Sequence, residues 1–574
     1  MLSEQLKQDI QNAYRQFLGS RELKPRIGQR LMLASIARTL GSVEINGEGL
    51  RSPSGSPHIA VVEAGTGTGK TVAYLLAVLP IAKQLEKNVV LSTGTVALQE
   101  QVVHKDLPDV VRHSGLEIDF QLAKGRGRYL CISKLDAILN EGEGELIPLY
   151  EDEMGVLAEQ DRALYHQMLD ALFDGDWEGD RDSWQDELKG DIWQRVTTDH
   201  RQCTGRKCNF VKQCPFFKAR DNISDVDLVV ANHDLVLADL SLGGGAILPA
   251  PEDTIYIFDE GHHLAEKALN HFSASLRYRS FIRWLGQTEA QLTEALEKVE
   301  DSQGLTQIIN PLPESLSELR KLLEAQLPVL QLLAEQVDLS FAKFQTPRLR
   351  FERGIVPAAL ERLADQSRPL TLNLLSRAEK LQEQVETLLE AENSPIESGE
   401  LEKLLMLAGT GVGRFEAAFD LFDSYAPQSK PKSGSGLPTA RWMTLTLDDQ
   451  QAVRDYQLVS SPVLAADALD EALWSRAAGA VLTSATLTAL GSFDYFRYHT
   501  GTSVDNASYE CVPSPFDYPS AACVLVPKNV PPANQVDAHT EYLTQHLPAM
   551  FVEGRGTLVL FASRKRLSTC SIHA

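Results

Sequence analysis

Residues 61–71 read VVEAGTGTGKT, and the fold follows from them. Val61 and Val62 belong to a β-branched run, HIAVVEA at 58–64, which Gly65, Gly67 and Gly69 break. Lys70 and Thr71 then open an apolar helical stretch, TVAYLLAVLPIAKQL at 71–85. A strand that ends in small residues and turns straight into a helix lets backbone N–H groups converge on a phosphate, with the helix N-terminus adding partial positive charge. Ala64, Gly65, Thr66, Gly67, Thr68, Gly69, Lys70 and Thr71 would form the cradle. In it Lys70 supplies a point charge to the β/γ-phosphates and Thr71 a hydroxyl to Mg²⁺. Ala64 stands where such loops usually begin with glycine. The alternative, a glycine-rich turn with no ligand, leaves the agreement of strand, glycines, Lys-Thr and helix unexplained.

Outward from this loop, strand-like and helical runs alternate. NVVLSTG at 88–94, VDLVVAN at 226–232, TIYIFDE at 254–260 and AGAVLTSATL at 478–487 are all short and β-branched. This is the grammar of an α/β fold with a parallel sheet. IYIFDEGHH delivers Asp259 and Glu260 at a strand's C-terminal end, where ligands sit in open α/β sheets. Asp259 would hold Mg²⁺ through water, and Glu260 would orient or deprotonate the attacking water. His262 could pass the state of the γ-phosphate onward, whereas His263 reads as a bystander. Taken alone, Asp-Glu-x-His could be a surface turn; downstream of a phosphate loop it reads as functional.

Composition narrows the remaining classes. The chain has 574 residues, enough for several domains, and a net charge of −23. That excludes coating nucleic acid by bulk electrostatics but leaves room for a local basic track. The longest apolar stretch, Val72–Ala82, is interrupted by Pro80 and is too short for a bilayer. The N-terminus is charged and helical in period, unlike a secretory signal. Seven cysteines, few and odd in number, point to a reducing compartment, hence a cytoplasmic protein. Ser42–Pro57 and Ala426–Pro438 read as loops. From about 265 to 425 the period is helical: Leu316, Leu319, Leu323, Leu327, Leu330, Leu333 and Val337 form one stripe, and Leu374, Ala378, Leu381, Val385 and Leu388 another.

Cys203, Cys208 and Cys214 are spaced C-x4-C-x5-C inside a basic segment, RQCTGRKCNFVKQCPFFKAR at 201–220, and Cys131 lies 72 residues earlier in KGRGRYLC. Zinc sites favour two short C-x2–4-C pairs. Three plus one with wider gaps fits a [4Fe–4S] cluster better. A zinc ion and unrelated buried cysteines remain as alternatives. Cys511, Cys523 and Cys570 have no such grouping. The segment also carries Arg201, Arg206, Lys207, Lys212, Lys218 and Arg220 with Phe210, Phe216 and Phe217, and Arg126 and Arg128 precede Cys131. Cations interleaved with aromatics suit a single nucleic-acid strand. Equally, the phenylalanines could lie packed under the cluster.

EAGTGTGKT, GRGRYLC, the three-cysteine run, VVANHDLVLAD, FDEGHH and VLTSATL occur in this order. Together they resemble the XPD-like superfamily 2 helicases that carry an iron–sulfur domain, over about residues 20–565. The resemblance implies an ATP-dependent 5′→3′ DNA helicase of repair or replication, with ATP, Mg²⁺ and a [4Fe–4S] cluster as cofactors. It implies single-stranded or forked DNA as partner, no membrane, and a monomer. It assigns adenine recognition to Gln29 in PRIGQR and DNA-backbone contact to Ser92–Gln101. It assigns the cluster to Cys131, Cys203, Cys208 and Cys214, and coupling to Ser484, Ala485 and Thr486. The implied organisation has motor domain 1 in 1–115, 226–264 and 441–510. An iron–sulfur insertion occupies 116–225, a helical arch 265–440, and the start of motor domain 2 lies at 511–574, where CVPSPFDY and GTLVLFAS sit. In the family that second domain ends on an arginine motif; here GVGRFE at 411–416 lies in the wrong place and reads as a chance match. The alternative expectation is therefore a truncated ATP- and DNA-binding protein without motor activity.

Overall fold

The structure, a computed structural model, describes residues 3–52, 56–140, 159–186, 188–199, 203, 205–221, 223–339, 346–391, 394–427, 439–448, 450–552, 554, 556–563, 566–567 and 570. The chain divides into two compact units, Met1–Pro515 and Phe516–Ala574.

The first unit is organised by a seven-stranded sheet. Its strands are β1 (Ile59–Ala64), β2 (Asn88–Thr93), β3 (Phe120–Leu122), β4 (Leu228–Asn232), β5 (Thr254–Asp259), β10 (Gly479–Ser484) and β11 (Ala507–Val512). They run in the order β11-β1-β10-β5-β2-β4-β3, and every pairing is parallel. The inner strands are near-continuous apolar runs because both faces are covered. Helices α1 (Glu4–Ser20), α2 (Ile27–Leu40) and α3 (Lys70–Leu85) pack on one face against Ala60, Val62, Val89 and Leu91. Ile59, Val61, Val90, Tyr256 and Phe258 point to the other, where Trp474 is buried. Parallel strands put all their C-terminal ends on one edge, so β1, β10 and β5 deliver Ala64, Ser484 and Asp259 side by side. β11 reaches Val512, so Cys511, read above as the start of a second domain, is here part of the first sheet.

Between β5 and β10 the chain builds a separate layer. Helices α4 (Tyr278–Lys298), α5 (Leu312–Glu324), α6 (Ala358–Glu390) and α7 (Ser398–Tyr425) share one core, in which both leucine stripes participate. The first stripe is split, because a second helix starts at Leu327 beyond a break at Ala325–Gln326. Helical periodicity missed a second component. β6 (Ala274–Arg277), β7 (Arg348–Arg350), β8 (Ala440–Leu447) and β9 (Val453–Ser461) form an antiparallel sheet in the order β6-β9-β8-β7. Met443, Leu445, Tyr456 and Leu458 anchor it in the helical core, so residues 440–461 pack with the insertion rather than with the parallel sheet. β8 alternates apolar and polar positions as a half-buried strand must. GVGRFE lies within α7, where Arg414 stacks 4.9 Å from the Trp284 ring.

The segment holding the four grouped cysteines has a small core of its own, with Trp177, Trp193, Tyr165 and Met168 buried and Trp184 against them. In the second unit, described by itself, the longest helix is Val536–His546, and 556–563 is not a strand. An apolar run becomes a strand only when a neighbour accepts its backbone hydrogen bonds, and among the described residues GTLVLFAS has none. No described helix is long and apolar enough to cross a membrane.

Candidate functional site

The loop between β1 and α3 has the backbone its glycines require. Gly67 and Gly69 have φ of 80° and 83°, a region L-residues avoid. A Cβ on Gly65 would come within 2.7 Å of Ser514 Cβ. Four side chains brace the loop, one of them Ser514, whose Oγ donates to the Thr66 carbonyl at 3.1 Å. Thr68 Oγ1 donates to the Gly65 carbonyl at 2.7 Å from within it, Arg26 donates to the Gly67 carbonyl, and Gln29 Nε2 donates to the Gly69 carbonyl at 3.1 Å. Tyr14 donates to Gln29 Oε1 at 3.0 Å, so the buried Gln29 amide is held at both ends. Gln29 thus braces the loop through its backbone.

Four predicted residues meet at the strand ends. Lys70 Nζ lies 3.3 Å from Glu260 Oε1. Ser484 Oγ donates to Glu260 Oε2 at 3.0 Å and lies 2.7 Å from His262 Nδ1. His262 Nδ1 is also 3.3 Å from Glu260 Oε2. Glu260 has φ of 54°, unusual for a residue with a Cβ. That turn aims the Glu260 carboxylate toward Lys70 while Asp259 stays at the strand end, accepting from Tyr74 OH at 3.2 Å. The two carboxylates therefore differ electrostatically. Burial raises the Asp259 carboxyl above its ordinary value, with Lys70 only partly offsetting it. Burial also pushes Glu260 upward, but Lys70 and the Ser484 hydrogen bond outweigh it, and the net shift is downward. Burial, with His263 beside it, lowers His262, favouring the neutral ring. His263 stacks on His262 with ring centroids 3.9 Å apart.

Sequence reasoning passed over several neighbours. Glu63, at the end of β1, accepts from Leu487 N and Thr488 N at 2.6 and 2.5 Å and so ties the phosphate loop's strand to the segment after Ser484. An acidic residue inside an apolar strand was the available signal. Tyr74 and Asp106 both interact with the Thr71 hydroxyl. Asp106 had no local signal, since its part depends on how the chain returns after β2. Ser92 is fully buried, so it does not face a surface ligand; Thr95 caps the short helix Val96–Gln101 that follows.

The four grouped cysteines share one neighbourhood: the thiols of Cys203 and Cys208 act electrostatically on Cys131, and that of Cys203 on Cys214. None is in a disulfide. Burial pushes the Cys131 thiol up to about 11, and burial raises Cys214 despite the N–H groups of Phe217 and Phe216 directed at its sulfur. Among the described residues no three His, Cys, Asp or Glu side chains are close enough to hold one metal ion. Such closeness is what one zinc requires; a four-iron cluster spaces its thiolates more widely. Phe216 is buried, with the Arg126 and Arg220 guanidinium groups 4.5 and 4.6 Å from its ring. It is packed among Tyr129, Phe217 and these two guanidinium groups and is not a platform for bases. Phe217 is half-buried against it. Lys212 and Lys218 are exposed, whereas Arg201 and the Lys207 side chain lie outside the described residues.

The family described as DEAD_2 matches residues 193–281, a span that holds the three-cysteine run and Asp259–His262. The ATP-dependent DNA helicase DinG of Photobacterium profundum is 35% identical over 98% of this chain and 77% of that protein. The ATP-dependent DNA helicase DinG of Escherichia coli (strain K12) is 29% identical over 95% of this chain and 73% of its own length. A solved chain titled XPD_APO covers 95% of this chain and 75% of itself at 10% identity and a TM-score of 0.35, a level on which no argument rests.

Proposed function

The chain belongs to the DinG family of ATP-dependent DNA helicases, and from that premise we propose that it binds and hydrolyses Mg·ATP at the β1–α3 loop and couples hydrolysis to movement along single-stranded DNA. The observation that carries this is the Lys70–Glu260–Ser484–His262 chain at the ends of three adjacent strands. The N–H groups of the loop and of the α3 N-terminus would cradle the phosphates, with Lys70 as the loop's only charged ligand. Thr71 and Asp259 would hold Mg²⁺, which neutralises phosphate charge when bound. Asp259's burial supports this, since a carboxylate so placed gains most from a cation. Glu260, kept ionised beside Lys70, would accept a proton from the attacking water. Ser484 bridges Glu260 to His262, so a change at the phosphates can be felt at the segment that Glu63 ties to β1.

The proposal extends to a [4Fe–4S] cluster on Cys131, Cys203, Cys208 and Cys214, supported by four thiols that share one neighbourhood outside any disulfide. The 5′→3′ polarity, forked DNA as substrate and a role in repair rest on the motif resemblance. Calorimetry tests the core of the proposal: Lys70→Ala should abolish Mg·ATP binding, and unchanged affinity would sink the assignment. Protein purified without oxygen should contain about four iron atoms per chain; one zinc and no iron would remove the cluster from the proposal.

A further inference from the structure

Ser92, one residue before the end of β2, and His233, one residue past the end of β4, meet at the C-terminal edge of the sheet. Both side chains are fully buried, and Ser92 Oγ lies 2.6 Å from His233 Nδ1. A neutral imidazole has one acceptor nitrogen and one N–H, and its partners decide which is which. Burial holds this ring neutral, its pKa lowered to about 4. With Nδ1 accepting from the Ser92 hydroxyl, the proton resides on Nε2. Nε2 is buried and makes no hydrogen bond, and the Glu260 backbone lies near enough to the ring to favour its protonated form, so the Glu260 carbonyl is the acceptor an Nε2–H would have. The bond is therefore available but not formed.

That carbonyl belongs to the residue with φ of 54°, whose carboxylate faces Lys70. A second contact joins the same two places. A Cβ on Gly94, just past β2, would meet Glu260 Cβ at 3.6 Å and His263 Cδ2 at 3.7 Å. The segment leaving β2 thus runs beside the Glu260 turn at Gly94, with room for no more than one methyl group between them, and approaches it again through Ser92 and His233. A backbone bond that forms or fails beside a left-handed residue changes where its side chain points, because the turn has little other freedom.

We propose that His233, held by Ser92, is a positioning residue that couples the segment after β2 to the Glu260 turn, its Nε2–H bond to the Glu260 carbonyl forming or breaking as that segment moves. The inference rests on the proposed function, in which Glu260 handles the water, and on the DNA-backbone contact that the motif resemblance assigns to Ser92–Gln101, a segment in which the buried Ser92 itself faces no ligand. Because coupling between sites is reciprocal, it can be read without turnover. Mg·ATPγS affinity would be measured by calorimetry with and without saturating oligothymidylate. The wild-type chain should show a coupling factor of about fivefold or more, the lower end of the usual range. His233→Leu should reduce the factor to within about twofold of unity while each ligand alone binds nearly as before. His233→Gln, whose amide nitrogen can replace Nε2, should restore most of it; His233→Asn, whose amide falls at Nδ1, should not. A ¹⁵N spectrum of the ring should show the Nε2–H tautomer, and its conversion on Ser92→Ala. Wild-type coupling retained in His233→Leu, equal behaviour of Gln and Asn, or an Nδ1–H tautomer would each overturn the proposal. Nucleotide binding that Lys70→Ala abolishes, with coupling unaltered at His233, would discard this inference alone. No Lys70-dependent binding would discard the function as well.

Discussion

Replacing Lys124 by methionine should loosen the cysteine-bearing segment around Asp180, where Lys124 joins it to the helix Val96–Gln101. The Lys124 side chain is 4% exposed, and its Nζ lies 2.7 Å from Glu100, 2.6 Å from Asp180 and 3.3 Å from Asp182. Glu100 sits on the helix Val96–Gln101; the two aspartates sit beside Trp177 and Trp184, in the core of the cysteine segment. One cation therefore clamps the two bodies. Removing one partner of a buried ion pair costs roughly 3–5 kcal/mol, because the other charge is left uncompensated. The three carboxylates keep about a fifth to a third of their surface in water, at 35%, 19% and 22%, and Arg128 still pairs with Asp182. The lower end, about 3 kcal/mol, is therefore appropriate. At ~1.36 kcal/mol per tenfold this is about 150-fold in the local opening equilibrium. The amides of Leu130 and Cys131 report it, since they donate to Gly179 and Val196 across the segment. Their hydrogen exchange should accelerate about a hundredfold in Lys124→Met, while Val61 and Val62 in β1 remain unchanged. The pH dependence has a definite sign. Burial pushes the Glu100 carboxyl up, Lys124 pulls it down further, and the net folded value is depressed. The contribution is therefore complete above the unfolded carboxylate value and lost as pH falls through the folded one, so wild type should approach the variant in acid. An acceleration below about threefold at neutral pH would refute the clamp.

Gly69→Ala should lower stability by about 2–3 kcal/mol, from a left-handed backbone at φ 83° and displacement of Gln29, whose Nε2 would be 2.4 Å from the new Cβ; chemical denaturation and Mg·ATP calorimetry should both register it. His58, buried with Nε2 2.9 Å from the Trp474 carbonyl, has its pKa lowered by burial from 6.5 to about 4. A depressed histidine stabilises the fold fully above the unfolded value, and about 3 kcal/mol is lost as pH falls toward 4; His58→Gln should flatten that part of a urea-midpoint profile. Lys212→Glu, at an exposed position in the basic segment, should weaken single-strand affinity and reduce the salt slope by about one. An unaltered slope would move the DNA contact elsewhere.

The phosphate loop was legible in the sequence because its physics is local. Positive φ at Gly67 and Gly69, a cation and a hydroxyl at the helix start, and a strand before them all lie within about a dozen residues. The buried strands were legible for the same reason, since a run apolar on both faces needs no distant information. The antiparallel sheet at 440–461 was not, because a half-buried strand is distinguished only by what it packs on, here helices that precede it in the chain. Phe216 read as a base platform, with packing as the alternative; its burial and two guanidinium groups, one from Arg126 some ninety residues away, settled it as packing. Glu260 and Ser484 are 224 residues apart, and Lys70 and Glu260 are 190 apart. No spacing rule spans such gaps. They meet because β10, the tenth strand in the chain, is inserted between β1 and β5, and a parallel sheet gathers the C-terminal ends of its strands on one edge. Which residue types can do the chemistry is written in short stretches of sequence. Which of them touch depends on strand order, set by the burial of whole strands and helices against one another.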